Sequence, residues 1–213
     1  MRHTRQWEVL ALDWDGPCVE SAKVYYQSVC HLFQRAKKPE PSFAYFRDAI
    51  SASVDQFHEN SGITQYFTAE EARKMREAYV KRHWKKIHLT PGTRTLLRTC
   101  ACLAIPVVIV SSNEREVIER KLGEYYLQRF VQKIFSSGNK KESLEKAAKR
   151  FRVPFSKMLF VEDSSEPIIA ANELGVTTVA FLGGFNSQAK LLSANPAFVA
   201  QHMQDVTGLI AQR

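Results

Sequence analysis

The sequence predicts an α/β fold, a doubly wound parallel sheet with an inserted all-helical subdomain, and three observations predict it. Short apolar runs recur at residues 9–12, 105–110 and 158–161, and residues 176–181 add a strand pattern with two threonines; apolar runs of this length without polar alternation are strands buried on both faces, as in a parallel sheet. From about residue 89 onward these runs alternate with helical patterns, which implies right-handed crossovers. Between the first run and residue 89 the periodicity is helical throughout, with no strand pattern. The expected organisation is therefore a core domain built from residues 1–19 and 89–213, with a helical cap subdomain at residues 20–88.

Taken in order, the first strand runs into Asp13-Trp14-Asp15-Gly16. A spacing of two lets both carboxylates point to one side, and Gly16 permits a sharp turn. From Ser21 to about Lys37, apolar residues at helical spacing (Val24, Tyr25, Val29, Leu32, Phe33) predict a helix, broken by Lys37-Lys38-Pro39-Glu40-Pro41. A second helix is expected from Ser42 to about Asn60, with Phe43, Phe46, Ile50, Val54 and Phe57 inward and a stop at Asn60-Ser61-Gly62. Thr68-Ala69-Glu70-Glu71 is a capping box; it opens a third helix bearing Ala72, Met75, Tyr79, Val80 and Trp84. Leu89-Thr90-Pro91-Gly92 marks the return to the core.

A helix at residues 93–102 leads to the second strand, which ends in Ser111-Ser112-Asn113. Asn113 is placed to cap the next helix, with Glu116 at its third position; that helix carries Val117, Ile118 and Leu122. Residues 133–136 read as a short edge strand. Gly138-Asn139-Lys140-Lys141 enters a helix holding Leu144, Ala147, Ala148 and Phe151, stopped by Pro154. The strand at 158–161 runs into Glu162-Asp163-Ser164-Ser165. Pro167 suits the first turn of the helix that follows, and Gly175 its end. Residues 176–181 form the last clear strand, Gly183-Gly184 a flexible turn, and residues 197–210 a surface helix.

Composition excludes several classes. The chain has 213 residues, 45% hydrophobic and 24% charged, as expected of a soluble globular protein. It carries no apolar run long enough to cross a membrane and no signal-peptide pattern, so a cytoplasmic location is expected. Cys18, Cys30, Cys100 and Cys102 show no metal or redox spacing and read as reduced, mostly buried thiols. The net charge is +8, but the basic residues are scattered. The densest group, Lys81-Arg82-His83-Trp84-Lys85-Lys86, reads as the solvated end of an amphipathic helix rather than a nucleic-acid surface. Neither a nucleic-acid nor a membrane partner is expected.

In a doubly wound sheet the loops after the strands gather on one edge. That edge would collect Asp13, Asp15, Ser111, Glu162 and Asp163, with Lys140 or Lys141 from a fourth loop. Several carboxylates together repel unless a cation relieves them, and Mg²⁺ is the hard ion that accepts a few carboxylates and keeps positions open for phosphate. A hydroxyl and a lysine suit the oxygens of a transferring phosphoryl group. One carboxylate can attack phosphorus while a second moves protons.

The chain resembles the haloacid dehalogenase-like superfamily of phosphohydrolases over nearly its whole length, in the subgroup of phosphoglycolate phosphatase and beta-phosphoglucomutase. Its four motifs are matched in order by Asp13-Trp14-Asp15-Gly16, by the strand ending in Ser111, by the lysine of Gly138-Asn139-Lys140-Lys141, and by Glu162-Asp163-Ser164-Ser165 followed by Ala170-Ala171 and Gly175. The resemblance implies a Rossmann-like core, an aspartyl-phosphate mechanism and a small phosphorylated substrate as the partner. It makes Asp13 the nucleophile and a Mg²⁺ ligand, and Asp15 the general acid/base, with its backbone carbonyl on the metal. Ser111 would hold a phosphoryl oxygen, with Ser112 beside it as a backbone or structural contact. Lys140 would neutralise developing charge and hold Asp13, and Asp163 with Glu162 would complete the metal shell.

Pro17 and Cys18 replace the Thr and Leu usual in such relatives, and Pro167 stands where a Gly is frequent, which implies altered loop geometry. Glu166 has two readings, a water-mediated metal contact or a helix-capping role. Arg47, Lys81, Arg82 and His83 are the candidate anion contacts of the cap, with a solvated surface as the alternative for each. Rival readings are a phosphomutase, which shares every core motif; a dehalogenase, which Asp15 argues against; and a non-enzymatic binding protein using the basic surface.

Overall fold

The computed structural model describes residues 6–50 and 54–212. In chain order the elements are β1 (Val9–Leu12), α1 (Ala22–Arg35), α2 (Phe43–Ala49), α3 (Val54–Asn60), α4 (Ala69–Arg82), α5 (Thr93–Cys102), β2 (Val107–Ser111), α6 (Arg115–Glu124), β3 (Lys133–Ser136), α7 (Lys140–Phe151), β4 (Met158–Glu162), α8 (Ser165–Glu173), β5 (Thr177–Phe181), α9 (Gln188–Ser193), β6 (Phe198–Ala200) and α10 (Met203–Ala211). The six strands form one parallel sheet in the order β3-β2-β1-β4-β5-β6. β1 is central, and the chain grows outward from it in both directions. The crevice where strand order reverses therefore lies at the carboxyl ends of β1 and its neighbours.

Successive strand residues alternate between two apolar layers. Leu10, Leu12, Val107, Ile109, Leu159 and Val161 pack on one face with Leu96 and Leu97 of α5 and with Met203, Val206 and Ile210 of α10. Val9, Ala11, Val108, Val110, Met158 and Phe160 pack on the other face with Leu144 and Ala147 of α7 and Ala171 of α8. Both faces are covered by helices, which is why these strands read as continuous apolar runs.

The elements between residues 22 and 86 are helical and own a separate core of Val29, Phe33, Phe46, Ile50, Phe57 and Ile63. The capping box at Thr68 and Glu71 is present. The expected single helix over residues 42–60 is instead two. α2 ends at Ala49, and Ile50 is extended (φ −67°, ψ 128°). The Ile50 carbonyl, free of the helix ladder, accepts hydrogen bonds from Asn186 and Lys190 across the chain, so tertiary contact replaces the helical bond. Trp84 likewise lies beyond α4, in a 3₁₀ turn over Trp84–Lys86.

The C-terminal segment also departs from expectation. Residues 198–200 form the edge strand β6, too short to show a pattern, and the helix begins only at Met203 with one buried face. α9 was not expected. Cys18, Cys30 and Cys100 are buried thiols, but Cys102 is exposed; all four are free. Among the described residues no helix is long and apolar enough to cross a membrane.

Candidate active site

Asp13 directly follows β1. Its N–H donates to the Val161 carbonyl at 2.9 Å, so the ladder with β4 runs one residue past the strand and brings Asp13 beside the β4 terminus. Glu162 ends β4, Asp163 follows, and both are fully buried. Asp13, Glu162 and Asp163 each offer a carboxylate oxygen, all within 4.8 Å of one another. Lys140, the first residue of α7, places its Nζ 2.9 Å from Asp13 Oδ1 and 2.7 Å from Glu162 Oε2. Burial pulls the Lys140 pKa down, but the two carboxylates outweigh it and hold the ammonium charged well above the ordinary lysine range.

Gly16 takes φ +87°, and a Cβ there would meet Asp163 Oδ2 at 2.0 Å; at Gly184 the same carboxylate oxygen would lie 1.7 Å away. The Gly183-Gly184 stretch is thus more than a flexible turn. Gly184 lets backbone lie against the Asp163 carboxylate, whose Oδ2 accepts the Phe185 N–H at 2.8 Å.

Asp15 faces the same space. Burial, followed by the charge of Asp13, raises its pKa to about 7, the range suited to giving and taking a proton near neutrality. Its Oδ2 accepts a hydrogen bond from Asn113 Nδ2. This corrects the expected capping role of Asn113: α6 is instead preceded by Glu114, without a side-chain cap. Asn113 is a site residue that the sequence reading missed, and the cap-like Asn-x-x-Glu pattern was what concealed it. Tyr25 of α1 was missed too; it read as one apolar position of a helix. It lines the cavity, and the charge of Asp15 together with burial holds its phenol protonated.

These groups open on a cavity of about 490 Å³ between the strand ends and the helical insert, lined among others by Asp13, Asp15, Asp163, Lys140, Tyr25 and Phe185. Ser112 and Asn113 also line it, whereas Ser111 does not. The Ser111 hydroxyl is buried behind the rim and accepts the Asn113 N–H at 3.0 Å. Glu162 is likewise absent from the lining. Its Oε1 accepts the N–H groups of Asp163 and Ser164 and its Oε2 the Lys140 ammonium, so its contacts anchor Lys140. Of the two lysines, both line the cavity, but only Lys140 pairs with Asp13, whereas Lys141 Nζ pairs with Glu173.

Glu166 lines the cavity from the first turn of α8, with its Oε2 buried and without a hydrogen-bond partner among the described residues. Of the candidate anion contacts, none lines the cavity. The Arg47 guanidinium binds the carbonyls of Leu182 and Asn186, His83 stacks on Tyr79, and Lys81 and Arg82 are exposed. The Pro17 carbonyl accepts the Thr93 hydroxyl and the Gly16 carbonyl that of Thr90. The altered loop is therefore tied to the returning chain.

Four carboxyl groups face one ammonium. Burial and mutual repulsion raise the pKa of Glu162 to about 7 and that of Asp163 well above the carboxylate range. An all-oxygen donor set with excess negative charge fits a hard divalent cation.

The family model described as haloacid dehalogenase-like hydrolase matches residues 10–181. A phosphoglycolate phosphatase of Pseudomonas savastanoi is 24% identical over 164 residues, covering 74% of this chain and 58% of that protein. The human magnesium-dependent phosphatase 1 is 28% identical over 109 residues, 50% of this chain and 62% of that one. The chain thus spans about three fifths of the length of these curated relatives. A crystal structure of a haloacid dehalogenase-like protein from Agrobacterium tumefaciens superposes with a TM-score of 0.80 at 20% identity, covering 96% of this chain and 98% of that one. The chain belongs to the haloacid dehalogenase-like hydrolase family.

Proposed function

We propose that this protein is a Mg²⁺-dependent phosphatase that hydrolyses a small phosphorylated metabolite through an aspartyl-phosphate on Asp13. The observation that carries the reading is the meeting of Asp13, Asp15, Lys140 and Asp163, far apart in sequence, around one cavity. Asp13, Asp163 and the Asp15 backbone carbonyl are the groups that would hold the metal. When bound, Mg²⁺ supplies charge neutralisation at the phosphoryl oxygens.

The steps of this chain's own residues follow from their positions. Lys140 fixes the Asp13 carboxylate and offsets its charge, so the free oxygen can approach an anionic phosphoryl group. As the Oδ–P bond forms and the ester P–O bond breaks, Asp15, protonated at its raised pKa, gives its proton to the leaving alkoxide. Asp15, now a carboxylate, takes a proton from the water that attacks phosphorus, and inorganic phosphate and the Asp13 carboxylate are released. Asn113 keeps Asp15 aimed through both steps. The Ser112 hydroxyl and the Lys140 ammonium are the donors available to the phosphate, with Ser111 fixing the strand end behind them. The helical insert acts as the cap that shields the site from bulk water, and a cavity of about 490 Å³ suits a small phosphomonoester.

The test is phosphate release from a panel of small phosphomonoesters, with Mg²⁺, with EDTA and with Asp13→Asn. Release is expected only for the unmodified protein with Mg²⁺, and Asp13→Asn is expected to lose more than about a thousandfold in kcat. Turnover by Asp13→Asn near the unmodified rate would overturn the nucleophile assignment. Accumulation of an isomerised sugar phosphate in place of inorganic phosphate would replace the reading with phosphoryl transfer within the substrate.

A further inference from the structure

The loop at residues 182–187, between β5 and α9, touches the acidic cluster with one side and the helical insert with the other. Toward the core, the Phe185 N–H donates to Asp163 Oδ2 at 2.8 Å and the Asn186 N–H to the Asp163 carbonyl at 3.1 Å. Asn186 Oδ1 accepts the Ser165 N–H at 2.9 Å, fixing the start of α8 two residues after Asp163. Toward the insert, Asn186 Nδ2 donates to the Ile50 carbonyl at 3.2 Å. Arg47 of α2 donates from Nη2 to the Leu182 carbonyl at 2.8 Å and the Asn186 carbonyl at 2.5 Å. The Ser187 N–H returns to the Arg47 carbonyl at 3.2 Å. The Phe185 ring sits with the insert's aromatics, edge-on to Tyr25 at 5.5 Å and 6.5 Å from Phe46.

Asn186 is 1% exposed, so a bond broken here is not replaced by bulk water. Phe185 is held twice, by its N–H on a carboxylate of the acidic cluster and by its ring in the insert's core. Gly184 adds a close approach: backbone lies where any Cβ would overlap Asp163 Oδ2. A displacement of this loop therefore alters the surroundings of that carboxylate directly.

We propose that Arg47 and Asn186 are positioning residues that lock the docked helical insert and the aim of the Asp163 carboxylate into one cooperative unit. Seating α2 on the loop at 182–187 sets the metal-binding carboxylate, and unseating α2 releases it. The inference rests on Asp163 being a Mg²⁺ ligand in the function proposed above, and it gives Arg47 a different task from the anion contact suggested by its charge.

Arg47→Met keeps a long unbranched side chain and removes the donors, along with the guanidinium carbon that lies 5.9 Å from the Phe43 ring centre. By Coulomb's law alone, loss of a positive charge would tighten Mg²⁺ binding, so weakening has to come through the loop. The experiment is calorimetric titration of EDTA-stripped, substrate-free protein with Mg²⁺, for the unmodified chain, Arg47→Met, Arg47→Lys and Asn186→Ala, with hydrogen exchange read over residues 43–50. Arg47→Met is expected to weaken Mg²⁺ by at least about fivefold, the low end of ordinary coupling between sites, with faster exchange in α2 and partial recovery in Arg47→Lys. Mg²⁺ affinity equal to that of the unmodified chain in Arg47→Met overturns the coupling, whatever α2 does. If Asn186→Ala fails to fold, the two Arg47 variants decide the matter. An unmodified protein that binds no Mg²⁺ removes Asp163 as a ligand and takes this inference with it, an outcome distinct from binding that the variants leave unchanged.

Discussion

Two lysines, in two regions of the molecule, show what separates a chemical site from a structural joint. Lys140 lies at the strand ends, beside Asp13 and Glu162 and near Asp15 and Asp163, where carboxyl groups outnumber it. Lys121 of α6 lies at the exit of the helical insert and is 2% exposed. Its Nζ is 2.7 Å from Glu124 Oε2 and 4.2 Å from the Trp84 ring centre, and it reaches the Trp84 carbonyl at 3.4 Å. Trp84 Nε1 in turn donates to Glu124 at 2.8 Å, and Arg120 lies over the same indole. At the joint the Lys121 ammonium is paired with the Glu124 carboxylate, and both cations lie against the Trp84 ring. At the strand ends the charges do not balance, and carboxylates whose pKa values have risen toward neutrality mark the excess. The more deeply buried lysine is the one at the joint, so burial does not mark the chemical site; charge balance does.

That contrast is open to direct attack. The largest effect is expected for Lys140→Met, which frees Asp13 and leaves the developing phosphoryl charge unopposed: kcat for phosphate release should fall by about 10²–10³, measured with saturating substrate. Next is Gly184→Ala. Its Cβ cannot coexist with Asp163 Oδ2, so Mg²⁺ binding should be lost, whereas Gly138→Ala, with nothing within 4 Å of the added carbon, should bind as before. Calorimetric Mg²⁺ titration separates them.

The pH dependence comes third. Asp15 carries a folded pKa of about 7 against 3.8 in an exposed chain, so between those values the folded state binds more protons than the unfolded one. Its contribution is fully present below about pH 4 and is lost as pH rises through 7. Thermal melts of the protein in EDTA should fall across that window, Asp15→Asn should flatten the slope, and added Mg²⁺ should protect most at the alkaline end. A metal-free melting temperature that climbs toward pH 8 would contradict the charge excess.

At the joint, Lys121→Met should leave kcat within a few-fold and cost about 1–2 kcal/mol of stability, from the lost ion pair and cation–π contact, or several degrees in a melt. The smallest effect belongs to Lys141→Ala. It removes an exposed pair with Glu173 and should leave the melting temperature and the activity unchanged. Activity lost in Lys141→Ala but kept in Lys140→Met would invert the assignment.

Much of this molecule was legible in its sequence, for identifiable reasons. The central strands announce themselves because helices cover both faces of the sheet and exclude polar side chains from it. The acidic residues were legible because each follows directly on such a strand. The fold around Asn186 was not, since its partners at residues 47, 50, 163 and 165 lie up to 139 positions away and no local spacing encodes them. Asn113 was misread for a related reason: the residue types that cap helices are those that hydrogen-bond carboxylates, and only the neighbours decide which task is done.

The sequence by itself determined the strand and helix order of the core as far as β5, the helical character of the elements between residues 22 and 86 and the residues that bring charge to the sheet edge, because periodicity, capping and turn chemistry act over a few residues. Only the tertiary structure decided that Lys140 rather than Lys141 faces Asp13, that Ser111 stands behind Ser112, that the helix after Ser42 ends at Ala49 and that Arg47 binds backbone rather than solvent. Each of those outcomes depends on which distant group arrives within about 3 Å, and hydrogen bonds and ion pairs are set at that range.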